Sequence, residues 1–243
     1  MNASRRRGTW RQSRDLAQQK RKASVLQLPN ARYYPPFLGE RMQVGMVTSD
    51  MDAALIFWSE MMGVGPWIVI EESLGDRRFI HRGQQSDVQM SVAFSYLGET
   101  QLELIAQSNA APSPYTEFLG DGKEGVHHIA FWPDSYEAAC LELERRGFEE
   151  VCTILTPGGD KNVSYFGGPA PMGVMVEVIP ATKARNQYYA AIEILARTWD
   201  GTRPIRRFRT RADFLASEDV TSLKSPFLTS CGPGTRPVQA PAP

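Results

Sequence analysis

The sequence predicts an α+β protein made of two tandem modules, each running strand, helix, strand, strand, strand, with a helix added after the second. Three observations carry this. Short apolar runs and helical segments follow the same order twice along the chain. The halves can also be laid on each other: Gln43-Val-Gly-Met-Val with helix alanines Ala53-Ala54 matches His128-Ile-Ala-Phe-Trp with Ala138-Ala139, and Leu102-Glu-Leu-Ile105 matches Val176-Glu-Val-Ile179. This repeat of about 80 residues is too long for a solenoid unit and suits a duplicated module. Finally, polar residues interrupt apolar strands at repeat-related positions.

The first module starts after a Pro- and Tyr-containing lead-in, where Pro35-Pro36 excludes a helix. Met42–Thr48 is apolar, short and followed by Ser49-Asp50, which predicts a strand and a helix capped by Asp50. The helix is expected over Met51–Met62, with Ala54, Phe57, Trp58 and Met61 on its apolar stripe and Gly63 as its stop. Gly65-Pro66-Trp67 turns into a strand at Ile68–Glu72. A polar loop from Gly75 to Asp87 follows, then strands at Val88–Leu97 and Gln101–Ala106 joined around Gly98-Glu99.

A linker with Pro112, Pro114 and a short helix near Tyr115–Leu119 leads to the second module. Val126–Trp132 reads as a strand, and Asp134 with Glu137 as a capping box. Tyr136, Ala139, Cys140 and Leu143 form the stripe of a helix ended by Gly147. Strands are expected near Glu150–Leu155, Val163–Phe166 and Val174–Ile179. Beyond Pro180, Tyr188, Ile192, Leu195 and Trp199 give a helix over 186–199 that packs back on the body. Pro204 to Arg209 and everything after Ser217 read as loop, with a disordered end from Ser225. The expected organisation is therefore a basic irregular arm at 1–40, a paired-module domain at 41–180 (modules 42–107 and 125–180), and an extension at 181–243.

The chain has 243 residues, 42% of them hydrophobic, and zero formal net charge. Residues 1–22 hold eight Lys/Arg against Asp15 alone, leaving 19 basic and 26 acidic residues elsewhere. An acidic body excludes a nucleic-acid-binding domain. No apolar run approaches the roughly 20 residues that span a bilayer, so no membrane association is expected. Cys140, Cys152 and Cys231 lack metal-ligand spacing and suit a reducing compartment. A cytoplasmic location is expected, with organellar targeting by the Arg-rich arm as the alternative.

The stretch Gly125-Val-His-His-Ile-Ala-Phe131 carries two adjacent imidazoles. Strand neighbours face opposite ways, so His127 is expected to face away and His128 inward. Superposing the repeats places Gln43 opposite His128 and Glu103 opposite Glu177. Taken singly, Gln43 or Glu103 reads as a solvent-facing strand residue and His128 as a satisfied core histidine; taken together they converge. Two buried carboxylates without a cation would repel, and a divalent ion resolves that. One imidazole, two carboxylates and an amide oxygen suit Zn²⁺, Ni²⁺, Co²⁺, Mn²⁺ or Fe²⁺ without choosing among them. Trp67, His81, Phe94 and Trp132 are candidate substrate-binding residues, and Arg77, Arg78 and Arg82 candidate anion contacts.

The strand Val-Gly-Met-Val before Ser-Asp-Met-Asp-Ala-Ala, the Gly-Val-Gly-Pro-Trp turn, the Gly-Val-His-His-Ile-Ala-Phe strand and the closing Val-Glu-Val-Ile-Pro resemble the vicinal oxygen chelate superfamily. The likeness covers about Met42 to Pro180 and is greatest to the glyoxalase and methylmalonyl-CoA epimerase-like branch. It implies paired βαβββ modules folding a sheet into a half-open barrel around one divalent metal ion, with ligands at Gln43, Glu103, His128 and Glu177. Gln43 departs from the more frequent histidine, as in some lactoylglutathione lyases. Epimerases usually show histidine first and glutamine second, and extradiol dioxygenases need two histidines, which places that chemistry last.

The expected function is a metal-dependent isomerase, epimerase or glyoxalase-type carbon–sulfur lyase that moves a proton beside a carbonyl of a small molecule. An acyl-CoA or glutathione thioester-type compound is the expected substrate class. Glu177 is the leading base and Glu103 a ligand or second base. The alternative is a metal-free protein that sequesters a small ligand. The resemblance also allows a homodimer with shared or separate sites.

Overall fold

The computed structural model describes residues 37–39, 41–169 and 173–223. The basic arm at 1–22, the Pro35-Pro36 lead-in, Cys231 and the tail from Ser225 lie outside them. Strands β1 (Met42–Val47) and β7 (Gly125–Phe131) pair antiparallel at the centre of an 11-stranded sheet. On one side of this pair stand β6 (Thr100–Gln107), β5 (Met90–Leu97) and β2 (Trp67–Ile70). On the other stand β10 (Met175–Val178), β9 (Lys161–Gly167) and β8 (Glu149–Leu155). The two modules thus present the same four-strand order outward from a shared seam. The sheet curls without closing.

Two corrections concern the strands at its edges. The expected polar loop at 75–87 is a hairpin of β3 (Arg78–His81) and β4 (Gln84–Ser86), and β3 pairs with β8 of the other module. Its two turn residues, Arg82 and Gly83, both have positive φ (+47° and +76°), the geometry that matches the twist of a tight hairpin. Likewise the expected loop after Pro204 contains β11 (Ile205–Phe208), parallel to β2. Its arginines hid the strand: Arg206 pairs with Asp219 at 3.0 Å and Arg207 with Asp52.

Helix α1 (Met51–Ile56) is capped by Asp50, whose side chain accepts from the Ala53 N–H. It widens into a π turn over Phe57–Met61. The extra residue in that turn rotates the face that follows, so Leu55 and Ser59 are buried while Phe57 and Met61, expected inside, are 44% and 74% exposed. Helix α2 (Pro114–Gly120) begins with a Ser113–Thr116 capping box. Helix α3 (Tyr136–Arg145) is capped by Ser135, not by the expected Asp134, because Ser135 is the residue left in extended conformation. It buries Tyr136, Ala139, Cys140 and Leu143. Among the described residues Cys140 and Cys152 are buried free thiols.

Helix α4 (Lys183–Arg197) is followed by α5 (Arg211–Ala216) and α6 (Glu218–Thr221). Helices α1 and α3 cover the convex face of the sheet, where Trp67 and Leu104 pack with Leu55, and Phe166 with Leu143. The concave face is filled differently. Ile68, Phe79, Phe94 and Tyr165 of the strands and Trp132 just after β7 join Tyr188, Tyr189 and Ile192 of α4 and Phe214 of α5 in one cluster. The extension is therefore part of the core. Among the described residues no helix is long and apolar enough to cross a membrane.

Phe214 is fully buried against Tyr188 and Phe208. Replacing it with Ala is expected to cost about 3–5 kcal/mol, read by chemical denaturation. A loss under about 1 kcal/mol would show that the extension is not integrated into the core.

Candidate metal centre

Strand register builds the site. Glu103, Gly45 and His128 lie in one row across β6, β1 and β7. Gln43, Ala130 and Glu177 lie in the next row across β1, β7 and β10. Residues two apart on a strand share a face, so all four polar side chains point into the concave side. The residue beside each pair is the smallest available: Gly45 between Glu103 and His128, Ala130 between Gln43 and Glu177. At Gly45 this is a strict requirement, since a Cβ there would sit 1.9 Å from His128 Cε1.

The structure brings Glu103, His128 and Glu177 together. His128 Nε2 is 3.2 Å from Glu103 Oε2 and 3.0 Å from Glu177 Oε2. The three ligand atoms lie within 4.8 Å of one another. Yet none of these atoms, nor Gln43 Oε1, has a hydrogen-bond partner among the described residues. All four residues are 0–7% exposed. Buried polar atoms are normally paired, and here polar groups from four strands crowd one concave face with Gln43 Oε1 left open. The three ionisable ones stand at ion-pair distance from one another, close enough to share a common centre. Two ligand atoms at right angles about one ion, each about 2.1 Å from it, are about 3.0 Å apart. The donor set therefore fits a divalent cation.

Electrostatics agree. Burial pushes the Glu103 carboxyl up, and the charge of Glu177 adds to it. Burial opposes charge on His128, but the two carboxylates outweigh it and hold the imidazole up at about 9. In the metal-free protein His128 takes the place of a cation between the acids.

Three supporting groups escaped sequence reasoning. Gln43 Nε2 donates to Gln101 Oε1 (2.8 Å), and Gln101 Nε2 donates to Tyr96 Oη (2.9 Å). This relay engages the amide nitrogen of Gln43 and leaves its oxygen for the site. Gln101 stands two residues before Glu103 on the same strand face, so its spacing was the available signal. The third group is His127, expected to face away. A bulge opposite Gly45 and Met46 leaves His127 as the extra residue of β7. Its ring turns back, Nδ1 lying 3.1 Å from His128 Nδ1. Burial, and then the charge of His128, push His127 down to about 3, so it stays neutral. A neutral His127 can accept from His128 Nδ1–H, which frees the His128 Nε2 lone pair for a cation. A bulge set by the partner strand leaves no mark in the local sequence.

The expected substrate-binding residues fare differently. Trp67 is on the convex side, its indole N–H donating to Val64 O at 2.9 Å. His81 is engaged by Glu117 at 3.0 Å, as is Arg82 at 2.9–3.0 Å, and Arg78 is exposed. Phe94 pairs in register with Glu103 and lies beside the quartet. Trp132 continues the inward face of β7. Both rings are covered by Tyr189, with centroids 5.6 Å away. A cleft of about 250 Å³ beside α2 reaches His127 and not the quartet.

A family model described as the glyoxalase/bleomycin resistance protein/dioxygenase superfamily matches residues 42–166, just over half the chain. The chain belongs to this superfamily. No curated protein sequence matches it. Among solved structures similar to this superfamily member is the methylmalonyl-CoA epimerase from Mycobacterium tuberculosis, at 18% identity and TM-score 0.45, covering 64% of this chain and 99% of that one. Another is a Streptomyces coelicolor methylmalonyl-CoA epimerase in complex with 2-nitronate-propionyl-CoA, at 19% identity and TM-score 0.41, covering 60% and 96%. A hypothetical protein from Bacillus halodurans C-125 matches at 18% identity and TM-score 0.43, covering 58% and 92%. The superfamily match ends before Glu177 and before the extension.

Two measurements test the centre. Because metal-free His128 is held up at about 9, it is protonated near neutral pH, and a cation must displace that proton to bind. Calorimetric Mn²⁺ or Zn²⁺ titration in buffers of different ionisation enthalpy is expected to read about one proton or more released per ion; release of none would remove His128 from the ligand set. Gly45→Ala is expected to weaken metal affinity at least about tenfold by displacing the imidazole, and an unchanged affinity would show that His128 does not need its seat.

Proposed function

We propose that this superfamily member is a metal-dependent enzyme that removes and returns a proton on carbon beside a carbonyl, with Gln43, Glu103, His128 and Glu177 as its ligand set. The observation that carries the reading is the convergence of Glu103, His128 and Glu177, all buried, with ligand atoms within 4.8 Å of one another. When bound there, a divalent cation supplies Lewis acidity, lowering the energy of the oxyanion that forms as the proton leaves.

The chain's own groups divide the rest of the work. His128, fixed by Gly45 and His127, and Gln43, fixed by Gln101, set the orientation of the site. Glu103 and Glu177 come from β6 and β10, on opposite flanks of the β1–β7 pair. Two carboxylates on two flanks suit epimerisation or isomerisation, where one group takes the proton and another returns it. Glu177 is the leading base and Glu103 the ligand or second base. Phe94, Trp132 and the tyrosines of α4 exclude water, which strengthens each electrostatic contact inside. Acyl-CoA thioesters, glutathione hemithioacetals and other compounds with an acidic C–H beside a carbonyl are the reactions to screen.

Glu177→Gln is expected to keep the fold and to lower exchange of the substrate's α-hydrogen with D₂O, followed by NMR, by at least about a hundredfold. Undiminished exchange would exclude Glu177 as the base. A wild-type chain that holds no divalent ion by elemental analysis, even after reconstitution, would overturn the metal-dependent reading in favour of ligand sequestration.

A further inference from the structure

The cleft beside α2 lies outside the centre just described. Its volume of about 250 Å³ is just under the usual range for drug-sized ligands and suits a smaller molecule. Pro114 and Phe118 line it from α2, and Val174 and Met175 line it where β10 begins. The charged residues at its mouth are exposed and already matched. Glu117 is held by Arg82 at 2.9 Å and His81 at 3.0 Å, and Asp121 by Lys123 at 3.0 Å. The cleft therefore offers an ion no unmatched counter-charge.

Its buried end is His127, which is 2% exposed and packs edge-on to Phe118, with ring centroids 5.1 Å apart. Nδ1 of this ring faces His128, so the edge turned the other way carries Nε2. Among the described residues Nε2 has no hydrogen-bond partner. The Pro114 carbonyl lies near the ring and favours a proton on it, but no hydrogen bond closes there. A neutral imidazole has one donor and one acceptor nitrogen. With Nδ1 accepting from His128 Nδ1–H, Nε2 carries the proton. It is then a buried donor with nothing to donate to, which costs free energy unless an acceptor reaches it from the cleft.

We infer that this cleft binds a small neutral molecule whose carbonyl accepts from His127 Nε2–H and whose apolar body lies against Phe118, Val174 and Met175. A hydrocarbon would leave the N–H unmet, and an anion would be stripped of water among matched charges. The site goes beyond the metal-dependent reading and does not need the ion. It bears on that centre all the same, because an acceptor at Nε2 holds His127 in the tautomer that leaves His128 Nε2 free.

The test is ligand-observed NMR titration of the chelator-treated full chain with acetophenone and cyclohexanone, which accept hydrogen bonds and donate none, beside toluene and benzoate. At least one ketone is expected to bind with a dissociation constant of about 1 mM or tighter, and at least about fivefold tighter than toluene or benzoate. His127→Phe, which keeps a ring against Phe118 and removes the donor, and Val174→Phe, which puts a larger side chain in the cleft without touching His127, are each expected to weaken ketone binding at least about fivefold. Melting temperatures check both folds; should His127→Phe fail to fold, Val174→Phe and the toluene comparison decide. Two-bond ¹H–¹⁵N spectra are expected to show His127 protonated at Nε2. No binding of either ketone, toluene binding as tightly because Pro114 already satisfies the N–H, benzoate binding more tightly, ketone binding unchanged in a folded variant, or a proton on Nδ1 of His127 overturns the inference. The chain is free of cation throughout, so each of these results leaves the metal-dependent reading standing.

Discussion

The antiparallel pairing of β1 with β7 is the constraint on which the rest of the structure depends. It joins two equivalent modules along one seam and sets Gly45 against His128 and Gln43 against Ala130. Each module thus offers one large polar residue and one minimal residue, and the seam interleaves them so that every ligand candidate faces a gap. A one-residue slip of β7 against β1 would turn one module's two polar side chains to the convex face and leave the other module's behind. A two-residue slip would keep the faces but set the His128 ring against Gln43 or Val47, whereas only Gly45 leaves it room.

Around this seam the protein encloses itself. A curled sheet of paired modules has a concave face that must be covered, and here α4 and α5 cover it, with Tyr188, Tyr189 and Phe214 among strand residues of both modules. The β3–β4 hairpin adds a second tie, leaving the first module in sequence but pairing with β8 of the second. Enclosure has an electrostatic consequence. Water that would screen Glu103, Glu177 and Arg185 is excluded, so their charges must be matched by one another or by what the site takes in.

What the sequence revealed follows the range of the interactions involved. The paired modules, the α3 stripe and the four polar positions were legible because strand and helix periods and the repeat are written locally or at a fixed offset. The α1 stripe failed because a π turn rotated it. Strand β11 was hidden by charged residues that pair with other segments, Arg206 with Asp219 and Arg207 with Asp52, and β3 by polar ones, of which His81 meets Glu117. Trp67 was expected in the pocket, but β2 is apolar on both faces, so parity could not say which side it met. His127 was misplaced because strand alternation breaks at a bulge, and that bulge is a property of the β1–β7 pair.

The two halves also show where the duplicated modules part. Gln43 and His128 occupy equivalent positions, yet each is oriented by a different device. An amide must be told which end to present, and the Gln101–Tyr96 relay does so by occupying the nitrogen. An imidazole must be told which nitrogen carries the proton, and a neutral His127, its Nδ1 3.1 Å from His128 Nδ1, can do so by accepting there. The second device needs a side chain at hydrogen-bond distance along the same strand, which a regular strand cannot supply because neighbours point apart. The bulge supplies it. The break in symmetry at β7 thus has a chemical consequence: it brings to the imidazole of one module a partner on its own strand, where the amide of the other is oriented from the strand beside it.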